Sequence, residues 1–357
     1  VNASVPLARR RNTLSSSLGL GDKLFASSDE RRFVREIESG LDTVEDGLLV
    51  EMSFADDMAD VTSRYLLEAG GKRVRPLLTL LSAQLGDGNS DQVFAAAKAI
   101  EITHLASLYH DDVMDESTMR RGVPTAQAVW GNSVAILTGD LLFARASKLV
   151  ANLGERVIRL QADTFERLCL GQLHETIGPR EGEDEIEHYL QVLADKTGSL
   201  IAAAAAVGVI TAGATEQYYT PVVEFGEKIG VAFQLIDDII DLAESGAETG
   251  KVPGTDLRAG VSTLPLLYLR ELAVTDVDAA ALLARIEREV EAIGQGHATT
   301  DIDAAIAELR DHEVTARTRA EAQGWAREAV AALAPLPDGP VKKSLTRFAD
   351  TVIERSN

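Results

Sequence analysis

A single cysteine, Cys169, occurs in 357 residues. That excludes a disulfide framework and any cysteine-rich metal site, and it fits a reducing compartment. Basic residues are outnumbered, 35 to 56, leaving a net charge of −21. A general nucleic-acid binder needs a basic face, so this balance argues against that class. Long apolar runs are also missing. The longest uncharged stretch lies between Lys196 and Glu216 and includes LIAAAAAVGVITAG. A membrane span takes about 20 strongly apolar residues, whereas this one is mostly Ala and Gly. It reads as a core helix whose small side chains let neighbours approach. Strand signals are scarce: no alternating β-branched run is bounded by an NG or DG turn. No short-period repeat is evident. Arg9, Arg10 and Arg11 are not followed by an apolar segment, so no secretory signal is visible. Residues 1–28 are expected to form a flexible, solvated tail.

What remains is ordinary globular composition, 45% hydrophobic and 25% charged. Helical periodicity runs nearly throughout. Ser28 or Asp29 is the predicted cap of a first helix, and Asp91 that of a long helix ending near Asp115. Pro76 sits near the start of another. Further helices are predicted over about 133–152, 155–176, 184–213, 216–243, 262–272, 276–293, 299–332 and 337–355. A prior of about 150 residues per domain suggests two domains. No linker divides residues 29–357, however, so the expectation is a single all-α domain.

The strongest chemical signal appears twice. DDVMD supplies Asp111, Asp112 and Asp115; DDIID supplies Asp237, Asp238 and Asp241. A spacing of four stacks Asp111 over Asp115, and Asp237 over Asp241, on one helix face. Like charges at that spacing destabilise a helix, so a cation should offset them. Paired carboxylates suit Mg²⁺, which takes oxygen ligands and shares its shell with water and substrate phosphates. One acidic cluster alone would read as a solvated helix face; two in apolar contexts do not. An EF-hand is excluded, because no D-x-D-x-D-G loop is present.

A site that handles phosphates also needs protein cations. GGKRVRP supplies Lys72, Arg73 and Arg75 beside two glycines that allow close backbone approach. STMRRG supplies Arg120 and Arg121, ADKTG supplies Lys196 and Thr197, and GKVPGTD supplies Lys251. Arginine pairs phosphate oxygens bidentately. His104 lies two turns before Asp111 on the same face, and Gln234 shares the face of Asp237. His110 and Cys169 read as structural, Cys169 as core packing.

GGKRVRP, LYHDDVMDESTMRRG, ADKTG, VAFQLIDDIID and GKVPGTD, in this order over residues 30–355, resemble the trans-isoprenyl diphosphate synthases, or polyprenyl synthetases. The resemblance implies an all-α isoprenoid-synthase bundle around a deep central cavity, usually a homodimer. It implies head-to-tail condensation of isopentenyl diphosphate with an allylic diphosphate. By position, Asp111, Asp112, Asp115, Asp237, Asp238 and Asp241 correspond to the metal motifs, with up to three Mg²⁺ per site and Mn²⁺ as a substitute. Asp111, Asp115, Asp237, Asp241 and Lys196 correspond to the catalytic set. Lys72, Arg75, His104 and Arg121 correspond to the isopentenyl diphosphate site; Arg120, Lys196, Thr197, Gln234 and Lys251 correspond to the allylic one. The implied mechanism is metal-assisted ionisation, with preorganised charge stabilising the departing pyrophosphate and water excluded from the allylic cation.

Chain length follows from what lines the path along the Asp111 face. Short-chain members of the family place aromatic residues just before the first motif. Here Thr103, Ala106 and Ser107 stand there, so the path looks open and the sequence resembles the long-chain bacterial synthases that make quinone side chains. The expected protein is cytoplasmic, with peripheral membrane contact for product release and a place in menaquinone biosynthesis. A shorter-chain farnesyl or geranylgeranyl diphosphate synthase is the alternative product class. A terpene cyclase would lack GGKRxRP, and a non-catalytic partner subunit would have degraded aspartate motifs.

Overall fold

The computed structural model describes residues 27–243, 253–299 and 301–355. The architecture is all-α, with one short two-stranded pair. The helices are α1 (Ser28–Glu51), α2 (Asp57–Glu68), α3 (Val74–Ala83), α4 (Asp91–Met114), α5 (Ala126–Trp130), α6 (Asn132–Val150), α7 (Glu155–Ile177) and α8 (Glu185–Leu193). There follow a π-helical turn (Ala194–Gly198), α9 (Ser199–Thr211), α10 (Tyr219–Asp241), α11 (Thr255–Arg258), α12 (Leu264–Ala273), α13 (Val277–Gly294), α14 (Ile302–Asp311), α15 (Glu313–Ala332) and α16 (Pro340–Glu354). Between α4 and α5, β1 (Met119–Arg120) and β2 (Val123–Pro124) pair antiparallel.

The helix starts follow local chemistry. Ser27, one residue earlier than expected, caps α1: its hydroxyl accepts from the Glu30 amide, and the Glu30 carboxylate accepts from the Ser27 amide. Ser90 rather than Asp91 caps α4, accepting from the Val93 amide. The predicted helix over 299–332 is two helices, broken at the extended residue His312. Cys169, expected in the core, is exposed on α7.

The described residues divide into two compact units: those within Val1–Glu166, Leu200–Glu224 and Leu333–Arg347 form unit one, and those within Arg167–Ser199, Phe225–Ala332 and Phe348–Asn357 form unit two. In unit one, α4 packs on α6, α3 and α1. Small residues set how closely. A Cβ on Gly139 of α6 would meet the His110 ring at 2.3 Å and the Ala106 carbonyl at 3.2 Å, so only glycine lets α6 lie this near α4. Tyr109 is wholly buried. Its hydroxyl donates to the Thr62 carbonyl and accepts from the Leu66 amide, tying α4 to α2. In unit two, α12 packs against α8, α13 and α15.

The stretch Glu185–Thr211 is long and apolar enough to cross a membrane, but 72% of its apolar window is buried inside the protein. Leu200, Ala204 and Ala206 of α9 are all buried, as a core helix requires.

Candidate active site

The first acid motif and its cations lie in unit one. Asp111 lies half-buried in the last turn of α4, and Asp115, exposed, is the residue that caps its C-terminus. The sequence groups Asp112 with these acids, but the structure turns it inward. Asp112 has no exposed surface, and its Oδ1 accepts from Arg120 Nε and Nη2, each at 2.7 Å. Adjacent positions on a helix point about 100° apart, so one doublet cannot present both carboxylates to the same ion. Burial pushes the Asp112 carboxyl up, opposed by the Arg120 guanidinium. Arg120, expected to be a diphosphate contact, is thereby also the counter-ion of Asp112.

The arginines are held by unusual backbone. Arg73 and Arg121 are two of the three non-glycine residues with positive φ among the described residues, at 50° and 54°. Such strain persists where the surroundings over-determine it. Arg121 and Gly122, both of positive φ, form the two-residue turn between β1 and β2. That turn directs Arg121 Nη1 to the carbonyls of Leu66 (2.8 Å) and Gly70. Arg75 is pulled down to about 10 by burial and Arg121, against the pull of Glu101; it stays cationic at neutral pH. His104 is held well below its ordinary value, first by burial and then by Arg75, Arg121, Arg120 and Arg73. It is therefore neutral, and its ring can donate from one nitrogen and accept at the other. Lys72 is exposed.

Two of the residues tied to chain length are buried. Ala106 belongs to the hydrophobic cluster with Tyr109, Ala135 and Leu142, and Thr103 is 2% exposed. Ser107 is half-buried, its hydroxyl donating to the His104 carbonyl.

The second motif lies in unit two. Here too the doublet splits. Asp237 is partly exposed and accepts from Arg355 Nη2 at 2.8 Å, while Asp238 is 2% exposed. Asp238 accepts from the Tyr189 hydroxyl at 2.5 Å. Burial pushes Asp238 up to about 8, with Tyr189 and Gln234 hydrogen bonds opposing and Asp256 adding to the rise. Asp241 Oδ2 accepts from the Asp256 amide at 3.1 Å, and its carbonyl accepts from Gly254 at 2.7 Å. Lys196 and Thr197 sit in the π turn. Lys196 pairs with Glu175; Thr197 Oγ1 lies 3.5 Å from Gln234 Oε1. A Cβ on Gly230 would fall 2.6 Å from Gly198 Cα, so α10 and the π turn touch backbone to backbone. Lys251 lies outside the described residues. Sequence reasoning missed Tyr189, Asp256 and Arg355. GTD beside Lys251 was a signal for Asp256; nothing local signals the other two.

Among the described residues no three acidic, imidazole or thiol groups converge into a metal cage. The side-chain donors that the two motifs do offer, Asp111, Asp115, Asp237 and Asp241, are all carboxylates, the oxygen donors a hard divalent ion takes.

Residues 57–299 match the family model for Polyprenyl synthetase. Nonaprenyl diphosphate synthase of Mycobacterium tuberculosis is 42% identical over 345 residues, covering 96% of this chain and 98% of that one. A decaprenyl diphosphate synthase from Rhodobacter capsulatus superposes with a TM-score of 0.79 at 34% identity, over 92% of this chain and 99% of that one. Geranylgeranyl pyrophosphate synthase from Corynebacterium glutamicum, solved with calcium and isoprenyl diphosphate, gives 0.77 at 37% identity, over 93% and 99%. The family match and these relatives make this chain a trans-prenyltransferase. The chain belongs to the polyprenyl synthetase family.

Proposed function

We propose that this enzyme condenses isopentenyl diphosphate head-to-tail onto an allylic diphosphate, giving a long-chain all-trans polyprenyl diphosphate for a quinone side chain. The observation that carries the reading is the grouping of Arg75 and Arg121 with neutral His104, which stands two turns before Asp111 on α4. Lys72, Arg75, His104 and Arg121 are assigned to the isopentenyl diphosphate. Lys196, Thr197, Gln234 and Lys251, with Arg120, are assigned to the allylic diphosphate. Asp111, Asp115, Asp237 and Asp241 would hold Mg²⁺, while Asp112 and Asp238 are buried and engaged by Arg120 and Tyr189. When bound, Mg²⁺ neutralises phosphate oxygens and favours departure of pyrophosphate. The arginines supply fixed donors to the same developing charge. His104, being neutral, adds a hydrogen-bond donor or acceptor without further repulsion among them.

The long product is supported by the nonaprenyl relative and by the small side chain at Ser107. The geranylgeranyl-synthesising neighbour supports a shorter product as the second reading. A homodimer is supported by exposed Ile136 and Leu137 on α6. A cytoplasmic enzyme with peripheral membrane contact for product release completes the reading.

The test incubates purified protein with labelled isopentenyl diphosphate and primers of several lengths, then sizes the product. Asp111→Ala and Asp237→Ala are each expected to lower turnover by several orders of magnitude, since each removes charge that acts mainly in the transition state. Full turnover in excess chelator would overturn the assignment. Turnover by the purified chain alone excludes a non-catalytic partner role.

A further inference from the structure

Two arginines lie two residues apart in GGKRVRP, and their donors meet opposite fates. Arg73 is 9% exposed. Its Nε and one Nη2 hydrogen reach the two oxygens of Glu45, at 2.6 and 3.0 Å. The other Nη2 hydrogen reaches the Leu67 carbonyl at 3.1 Å. Nη1 reaches Glu101 Oε1 at 3.2 Å and the Gly70 carbonyl at 3.3 Å. A guanidinium has five N–H donors, and all five are engaged. Arg73 therefore has no donor left for a phosphate. Arg75, by contrast, has a buried Nε without a hydrogen-bond partner.

Glu101 is 2% exposed on α4, one turn before His104. Its charge favours the cationic form of Arg73, Arg75 and Arg121 alike. Arg121 donates to the same Gly70 carbonyl that Arg73 does. A continuous chain of contacts thus runs from Glu101 through Arg73 and Gly70 to Arg121.

We propose that Glu101 and Glu45 are positioning residues for diphosphate recognition: they clamp Arg73 as an internal strut, and the strut holds the 70–73 loop so that Arg75 and Arg121 are already placed when a diphosphate arrives. Glu101 is the resident counter-anion that lets several guanidinium groups share one buried region before the ligand supplies its own charge. This rests on the substrate assignment made above.

Three variants test it: Glu101→Gln, Glu45→Gln and Arg73→Lys. Each removes part of the clamp; Lys keeps the charge at position 73 but lacks the planar fork. The expected result is a rise in KM for isopentenyl diphosphate on the order of 10- to 100-fold, the worth of one or two charge-assisted hydrogen bonds. KM for the allylic primer and kcat should change by less than about threefold. Amides 70–75 should exchange hydrogen faster in each variant. Because Glu101→Gln could unfold a buried region, Glu45→Gln, at a partly exposed carboxylate, gives the same reading independently. Folded glutamine variants with wild-type KM would overturn the proposal. Wild-type affinity in Arg73→Lys would also overturn it, since charge alone would then suffice. Calorimetry with inorganic pyrophosphate separates the two readings. If the wild-type protein shows no turnover of isopentenyl diphosphate, the substrate assignment fails, while weakened pyrophosphate binding and faster loop exchange in the variants would still support the clamp.

Discussion

Replacing Gly71 by alanine should damage diphosphate binding far more than replacing its neighbour Gly70, although both have positive φ, at 150° and 104°. A Cβ on Gly70 meets nothing within 4 Å. Gly70→Ala therefore carries backbone strain alone, about 1–2 kcal/mol. A Cβ on Gly71 would lie 2.5 Å from Arg73 Nη1 and 3.0 Å from Arg121 Nη1. The ends of arginine side chains usually yield cheaply. Here they cannot, because Arg73 is fixed to two carboxylates and two carbonyls and Arg121 to two carbonyls. Displacing either guanidinium by an ångström breaks one or more charge-assisted hydrogen bonds, each about 1.5–3 kcal/mol. The expected loss in affinity is about 10- to 100-fold. The assay is steady-state kinetics with isopentenyl diphosphate varied at saturating primer, alongside thermal unfolding of both variants. Equal KM values for the folded Gly70→Ala and Gly71→Ala proteins would refute the steric argument.

Ser107→Phe should shorten the product from about seven to ten isoprene units to about three or four while sparing the first condensation, since Ser107 lies about one turn, 5–6 Å, from Asp111; an unchanged product ladder from a folded, active variant would remove this face from the chain's path. Ala106→Phe is expected instead to destabilise the α4–α6 cluster by about 1–3 kcal/mol, read by urea unfolding. Arg75→Ala should raise KM mainly for isopentenyl diphosphate and Lys196→Ala mainly for the allylic primer; a shift confined to the same substrate in both would contradict the assignment. His104, held neutral in the folded protein, takes a proton on unfolding below about pH 6.5, so stability should fall as pH drops through that value, by at most about 1.4 kcal/mol per pH unit. His104→Asn should flatten that slope, measured as urea midpoints at pH 5 and pH 7.

The helices, the duplicated acids and their companion cations were legible because each is a local pattern. Periodicity located α4, and i,i+4 spacing put Asp111 over Asp115. What the sequence does not carry is which of several equal-looking residues finds a distant partner. Asp111 and Asp112 are chemically identical, yet one is half-buried and the other is closed off by Arg120. Arg73 and Arg75 look alike in GGKRVRP, yet Glu45 and Glu101, each 28 residues away, engage only the first in hydrogen bonds. Tyr189 reaches Asp238 across 49 residues and Arg355 reaches Asp237 across 118. Caps were misplaced by one residue because Ser27–Ser28 and Ser90–Asp91 each offer two competent side chains, and the backbone chooses. The break at His312 sits in a sequence with no proline or glycine to mark it.

The π turn bears on how this helix can be edited. Between Ala194 and Gly198 the amide of Ser199 reaches back to the Ala194 carbonyl, five residues rather than four. The turn thus houses one residue more than an α-helix would. Deleting any single residue there would permit a regular helix through α8 and α9 with its two ends left in nearly the same rotational phase, because the turn already absorbs the extra residue. Straightening the turn with every residue kept would instead rotate one end by about 100° against the other. The Ala-rich half could then keep its packing only if Tyr189 swung away from Asp238, or the reverse. A chimaera that imports an uninterrupted helix with the same number of residues inherits that phase error, however similar the residues, whereas one shorter by a residue does not. A length change here is therefore to be scored by the angle it leaves between the two halves.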